Sequence, residues 1–179
     1  DLRTVGGRAQ RDWRAAGLRD PRAIRADAAM PKIRFEKAQD ADDVATWLAS
    51  LGAPLAAPPF AADAARLGGA RFLQLGCIAC HVPPERDRAE ATFGERLPLD
   101  FVPQKWHPAA LVEFLQNPGR DYPHVRMPDF ALSREDATML AAYLLASKPM
   151  PLPQSAGDAD RGRKLAQKHG CASCHELPL

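Results

Sequence analysis

An all-α protein assembled from small helical units is what this sequence predicts, on three observations. Apolar residues recur at helical spacing behind capping residues, a Cys-rich motif twice follows a short helix bounded by Gly, and two Pro-rich joints, Ala53 to Pro59 and Lys148 to Pro153, punctuate the chain. The 179 residues and 19.5 kDa allow one domain of ordinary size or two small ones. Aromatics make up only 7% and Pro numbers 17, so two cores of protein alone would be thin, and something else is expected to help fill them. The 24 Lys and Arg against 22 Asp and Glu leave a formal charge of +2, too little to make nucleic acid an expected partner. No run approaches the roughly 18 to 20 apolar residues of a membrane span, and no signal-peptide core opens the sequence. A mature chain without a transmembrane segment is therefore expected.

The elements follow in order. A helix around Trp13 to Leu18 is weak because Gly17 interrupts it. Met30-Pro31 reads as a loop, since Pro pushes the preceding residue toward extended backbone. Asp40 then caps a helix with the stripe Val44, Trp47, Leu48 and Leu51. After the first joint, Gly68 to Gly76 forms a short helix ahead of the first Cys motif, and a polar loop, roughly Val82 to Phe101, follows it. His107-Pro108 opens a helix with Leu111, Phe114 and Leu115 inward, and Asn117-Pro118 stops it. Met127-Pro128 is a second Met loop. Ser133-Arg134-Glu135-Asp136 resembles a capping box for a helix with Leu140, Tyr143 and Leu144 inward and Met139 as core filler. Met150 falls in the second joint, and Gly162 to Gly170 forms the last short helix.

The chemistry sits in Cys77-Ile78-Ala79-Cys80-His81 and Cys171-Ala172-Ser173-Cys174-His175, which hold all four cysteines. In C-x-x-C-H the two sulfurs share one face of a helical turn, so both reach the vinyl groups along one haem edge while the next imidazole meets the iron. A Cys₄ zinc site is a poorer match, because zinc ribbons separate their pairs by about 15 to 20 residues and Cys171 stands 91 positions after Cys80. A thioredoxin-type disulfide needs a βαβ context that the chain does not offer. Two haem c groups, one per motif, are the expected cofactors, with Cys77, Cys80, Cys171 and Cys174 as thioether positions and His81 and His175 as iron ligands.

The segments repeat out of phase with the chain ends. Gly68 and Gly76 match Gly162 and Gly170 at an offset of 94, whereas Asp20-Pro21 with Met30 matches Asn117-Pro118 with Met127 at an offset of 97. A Met thioether is the sixth ligand that raises a haem potential, and each Met-Pro stands on a loop suited to reach over a haem face. Met127 and Met30 are the candidates.

These segments resemble class I cytochromes c, small all-α haem domains with a first helix, C-x-x-C-H, a central helix, an axial-Met loop and a last helix. Residues 61–148 resemble one complete domain, with Cys77 and Cys80 in the thioether positions and His81 and Met127 in the axial ones. The resemblance implies that Gly68 and Phe72 meet Tyr143 where first and last helices cross; the second copy has Ala166 in place of Phe72. Residues 1–51 resemble the back half of such a domain and residues 155–179 the front half. Three arrangements are open: a window of a longer tandem array, a permuted domain in which His175 and Met30 share a haem, or halves completed by a neighbouring copy. The usual in-phase order of repeats favours the first. The permuted form would lack about a dozen residues of the loop between motif and Met, a loop tolerant of length.

Iron held by His and Met has no open position, so the expected function is single-electron relay between redox partner proteins rather than catalysis. A dihaem peroxidase-like enzyme with an open C-terminal haem, and a cytochrome subunit of a dehydrogenase or reductase complex, are the alternatives. In that scheme His169 and His124 are packing or loop residues and His107 a helix cap. The pocket is expected to be lined by Phe72, Leu111, Phe114, Leu115, Leu140 and Tyr143, and His81 to donate its second ring proton to a backbone carbonyl near Pro83 and Pro84. Residues 1–37 carry ten basic and five acidic side chains, a surface that could steer an acidic partner. Covalent haem attachment, by the same resemblance, implies a periplasmic or extracellular location.

Overall fold

Residues 1–25, 28–85, 96–148 and 151–179 are described by a computed structural model, and they are mostly helical, as an all-α class requires. Among them are α1 (Val5–Arg8), α2 (Arg11–Arg19), α3 (Pro21–Ile24), α4 (Asp40–Ser50), α5 (Ala64–Gln74), α6 (Val102–Lys105), α7 (Pro108–Gln116), α8 (Arg134–Leu145) and α9 (Ala159–Lys168). Two short strands, β1 (His81–Val82) and β2 (Leu97–Pro98), pair in parallel. None of the helices is long and apolar enough to cross a membrane among the described residues. Residues 86–95 of the expected polar loop, and Met150 of the second joint, lie outside the described residues.

The chain forms two compact units. Leu55–Met150 is a central unit; Asp1–Pro54 and Pro151–Leu179 together make the other, here called the split unit. The terminal segments, for which the sequence left three arrangements open, pack on each other in this chain.

In the central unit α5 packs on α8, and α7 packs on the same helix. The crossing is close because Gly68 has no side chain: a Cβ there would collide with the Met139 carbonyl oxygen of α8. Beside it Phe72 is buried and its ring lies 5.5 Å from that of Tyr143. Arg71 adds a fork to Asp136 at 2.8 and 3.2 Å. The N-terminus of α8 is closed by Ser133, whose Oγ accepts the Asp136 N–H at 3.0 Å, as the capping pattern predicts. Pro108 begins α7 with His107 at the N-cap. Phe72, Leu111, Leu115 and Leu140 share one buried cluster, against which Phe114 and Tyr143 pack. Met139 contributes backbone to the crossing, and its side chain is only half-buried.

The split unit is built the same way from segments in the opposite order. Gly162 of α9 lies against the Asp43 carbonyl of α4 as Gly68 lies against Met139. Ala166 is fully buried and Trp47 nearly so, in one cluster with Val44 and Leu48, so the loss of a second Phe72 leaves no exposed gap. The electrostatic clasp differs: Arg161 of α9 pairs with both Asp40 and Asp43, two buried carboxylates of α4. Asp40 is thus the first residue of its helix rather than its cap. Its carboxylate accepts the Lys37 N–H at 3.0 Å and reaches across to the other segment.

From the N-terminal side the two units run in register at the offset of 97. Helices α2 and α7 are each nine residues, with Arg11 matching Pro108 and Arg19 matching Gln116. Asp20 and Asn117 each accept a following backbone N–H through Oδ1, and Pro21 and Pro118 are both buried. The Ala28 N–H to Arg25 carbonyl bond (3.0 Å) has its counterpart in Val125 to Tyr122 (2.9 Å). Gly17, expected to break α2, does not. Its cost of about 1 kcal/mol is smaller than the burial of Ala15 and Leu18 against α4.

Candidate haem-binding sites

Each C-x-x-C-H lies on a single 3₁₀ turn, Cys77–Ala79 in the central unit and Cys171–Ser173 in the split unit. The preceding Gly76 and Gly170 have φ of 71° and 65°. That left-handed step favours Gly and turns the chain sharply out of α5 and α9 into the motif. All four thiols are free; Cys77 and Cys171 are half-buried, Cys80 and Cys174 exposed. Burial pushes the Cys77 and Cys171 thiols above their ordinary value, the behaviour of sulfurs facing an apolar interior. Among the described residues no three His, Cys, Asp or Glu side chains gather as they would around one ion.

The His81 ring is oriented by the fold. β1 pairs with β2 so that the Leu97 N–H reaches the Cys80 carbonyl at 2.9 Å and the Leu99 N–H the Val82 carbonyl at 3.2 Å. This puts the Leu97 carbonyl 3.3 Å from His81 Nδ1. A carbonyl only accepts, so Nδ1 carries the proton and the lone pair is left on Nε2, the arrangement a metal-ligating imidazole needs. The expected backbone carbonyl is therefore present, but it is that of Leu97 and not of Pro83 or Pro84: the parallel pairing brings in a residue 16 positions away. Burial lowers the pKa of His81, with the Leu97 bond acting the other way. Burial also lowers that of His175, whose ring has no hydrogen-bond partner among the described residues. Both shifts favour the neutral ring.

Met127 and Met30 are both partly buried. Met127 and Cys77 pack against one and the same cluster in the central unit, and Met30 and Cys171 against one and the same cluster in the split unit. Each unit thus brings the first Cys of its motif and one Met thioether against one apolar core, with the second Cys and the His following directly in the chain. This donor set fits a covalently attached haem with two axial ligands. No family model, curated protein or solved structure matches this chain.

His124 is exposed in the loop before Met127, and His169 packs edge-on against Phe35 with ring centroids 5.1 Å apart. The two sites differ in their linings. Trp106, Phe114 and Tyr122 stack on one another in the central unit at 4.9 to 6.0 Å. Their register counterparts are Ala9, Gly17 and Arg25. The basic N-terminal segment is also less of a surface than its composition implied. Arg8 and Arg14 are buried, and Arg11 and Arg19 are both directed at the buried Asp42. Sequence reasoning missed these four arginines and the acids Asp42 and Asp43; the D-A-D-D run opening α4 was the available signal, and its partners are distant in the sequence.

Proposed function

We propose that this chain is a dihaem c-type cytochrome, similar in each unit to class I cytochromes c, which relays single electrons between redox proteins. The observation that carries the reading is that each unit sets its C-x-x-C-H turn and one Met thioether against the same apolar core. Cys77 and Cys80 would tether one haem with His81 and Met127 as axial ligands. Cys171 and Cys174 would tether the other with His175 and Met30 of the same chain.

The bound haem supplies a one-electron couple at iron; the rest of the work belongs to the chain. The Leu97 carbonyl keeps the proton on His81 Nδ1 and so keeps Nε2 available. The Met loops offer thioethers, ligands that favour the reduced state and raise the potential. Phe72, Leu111, Leu115 and Leu140 exclude water and lower the local dielectric, which favours the less charged ferrous form. With a His and a Met of this chain holding the iron in each unit, the haems would exchange single electrons rather than bind a substrate. The reading also carries a periplasmic or extracellular location, where covalent attachment takes place in the family.

The test is a haem count by pyridine haemochrome beside the intact mass. Two haems per chain, with a reduced-minus-oxidised spectrum of sulfur-ligated low-spin iron, is the expected result. A colourless polypeptide whose four thiols all alkylate, or one carrying stoichiometric zinc, overturns it.

A further inference from the structure

Arg14 is a buried cation of the split unit whose charge no carboxylate among the described residues answers. It is 9% exposed, its Nη1 donates to the Val5 carbonyl at 2.9 Å, and its Nε is buried with no acceptor. Among the described residues no carboxylate reaches it. Asp42, an acid of the neighbouring α4, is held by Arg19 and faced by Arg11, and Arg11 itself repels Arg14. Burial and that repulsion bring the Arg14 pKa down to about 10, still charged at neutral pH. A guanidinium kept in such surroundings without a counter-ion is strongly unfavourable, so an anion is expected beside it.

The register between the units says where that anion comes from. Arg14 stands in the position of Leu111, which belongs to the buried cluster that also receives Cys77 and Met127. Val5, whose carbonyl Arg14 holds, belongs to the cluster that receives Cys171 and Met30. The indole of Trp106 is replaced in the split unit by the methyl of Ala9, two residues before α2. A cation therefore replaces an apolar side chain next to the core that the cofactor would complete. The only anions the proposed ligand would bring are the two haem carboxylates.

We infer that Arg14 is the counter-ion for a haem carboxylate in the split unit, a role for which the central unit has Leu111. This rests on the dihaem reading, and its test separates the two. The haem-loaded full chain is titrated potentiometrically as wild type, Arg14→Leu and Arg14→Lys. A Cys171→Ser/Cys174→Ser variant identifies the potential that belongs to the split unit. Arg14→Leu should lower that potential alone by at least a tenfold shift in the reduced-to-oxidised ratio, 59 mV for a one-electron couple. Arg14→Lys, which keeps the charge, should retain most of it. If Arg14→Leu fails to take up the second haem while Arg14→Lys does, the same conclusion follows. Unchanged potentials in Arg14→Leu, equal shifts in both variants, or loss of the second haem from both would overturn the inference and leave the dihaem reading standing. A wild type without haem would remove that reading first.

Discussion

Leu2 donates its backbone N–H to the Glu176 carbonyl oxygen at 3.1 Å, joining the two terminal segments of the split unit. The same bond closes the central unit, where Leu99 donates to Val82 at 3.2 Å. Leu2 corresponds to Leu99 at the offset of 97, and Glu176 to Val82 at 94. The two units therefore share this closing bond, with their matching segments in the opposite chain order.

Removing residues 1–54 should abolish one haem site and spare the other. It takes away α4, against which Gly162 and Ala166 of α9 are packed, together with Asp40, Asp43 and Met30. The expected outcome is a chain with one His/Met haem of unchanged potential and a C-terminal segment that has lost its helical signal in circular dichroism. Retention of two sulfur-ligated haems would mean that Met30 is not the ligand in this chain.

Met127→Ala should leave the central haem attached, because the thioethers do not involve that side chain, but should lower its potential and open the iron to carbon monoxide. An unaltered potential and no ligand binding in this variant would take Met127 out of the site.

The split unit should yield to external ligands first. Trp106, Phe114 and Tyr122 pack on one another within or against the cluster that receives Met127, whereas Ala9, Gly17 and Arg25 stand in their places in the split unit. With less packing to hold the loop, the Met30 thioether should be displaced by added imidazole at lower concentration than that of Met127. A spectral titration of the wild type, with Met30→Ala and Met127→Ala to assign the two phases, checks the order.

Much of this arrangement was legible in the sequence, and the rest follows a physical division. Local geometry was readable: Gly76 and Gly170 before their motifs and the Ser133 cap depend on spacing within a helix or on a duplicated pattern, while the Gly68, Phe72 and Tyr143 crossing came from the resemblance to class I cytochromes c. What depended on distant partners was not. His81 takes its acceptor from Leu97 because a parallel strand pair forms, and nothing adjacent to the motif announces it. Asp40 reads as a cap until Arg161 is known to lie across from it. The Arg-rich N-terminal segment reads as a solvated face until α4 supplies buried acids.

Gly68→Ala should destabilise the central unit by about 1–3 kcal/mol or more, since the added methyl meets backbone of α8 that cannot rotate away. A melt followed at the central haem should move down while the split unit's transition stays in place, and Gly162→Ala should do the reverse.

Asp40 and Arg161 set the last expectation, which concerns acid. Burial acts to raise the Asp40 carboxyl, but the Lys37 N–H and the Arg161 guanidinium outweigh it and hold the group below its ordinary 3.8. A carboxyl depressed on folding contributes stability that is fully present above its unfolded pKa and disappears as pH falls through the lower folded value. The wild-type split unit should therefore hold from neutral pH to about 4 and weaken below it. Arg161→Leu removes the cation and leaves burial as the largest influence on Asp40, so its folded pKa should rise above the unfolded one. The sign then inverts: the variant's stability deficit should be greatest at neutral pH and should narrow as the pH falls from 7 toward 4. Denaturant melts of both proteins across that range decide it, and a deficit that is constant with pH would show that Arg161 acts by packing alone.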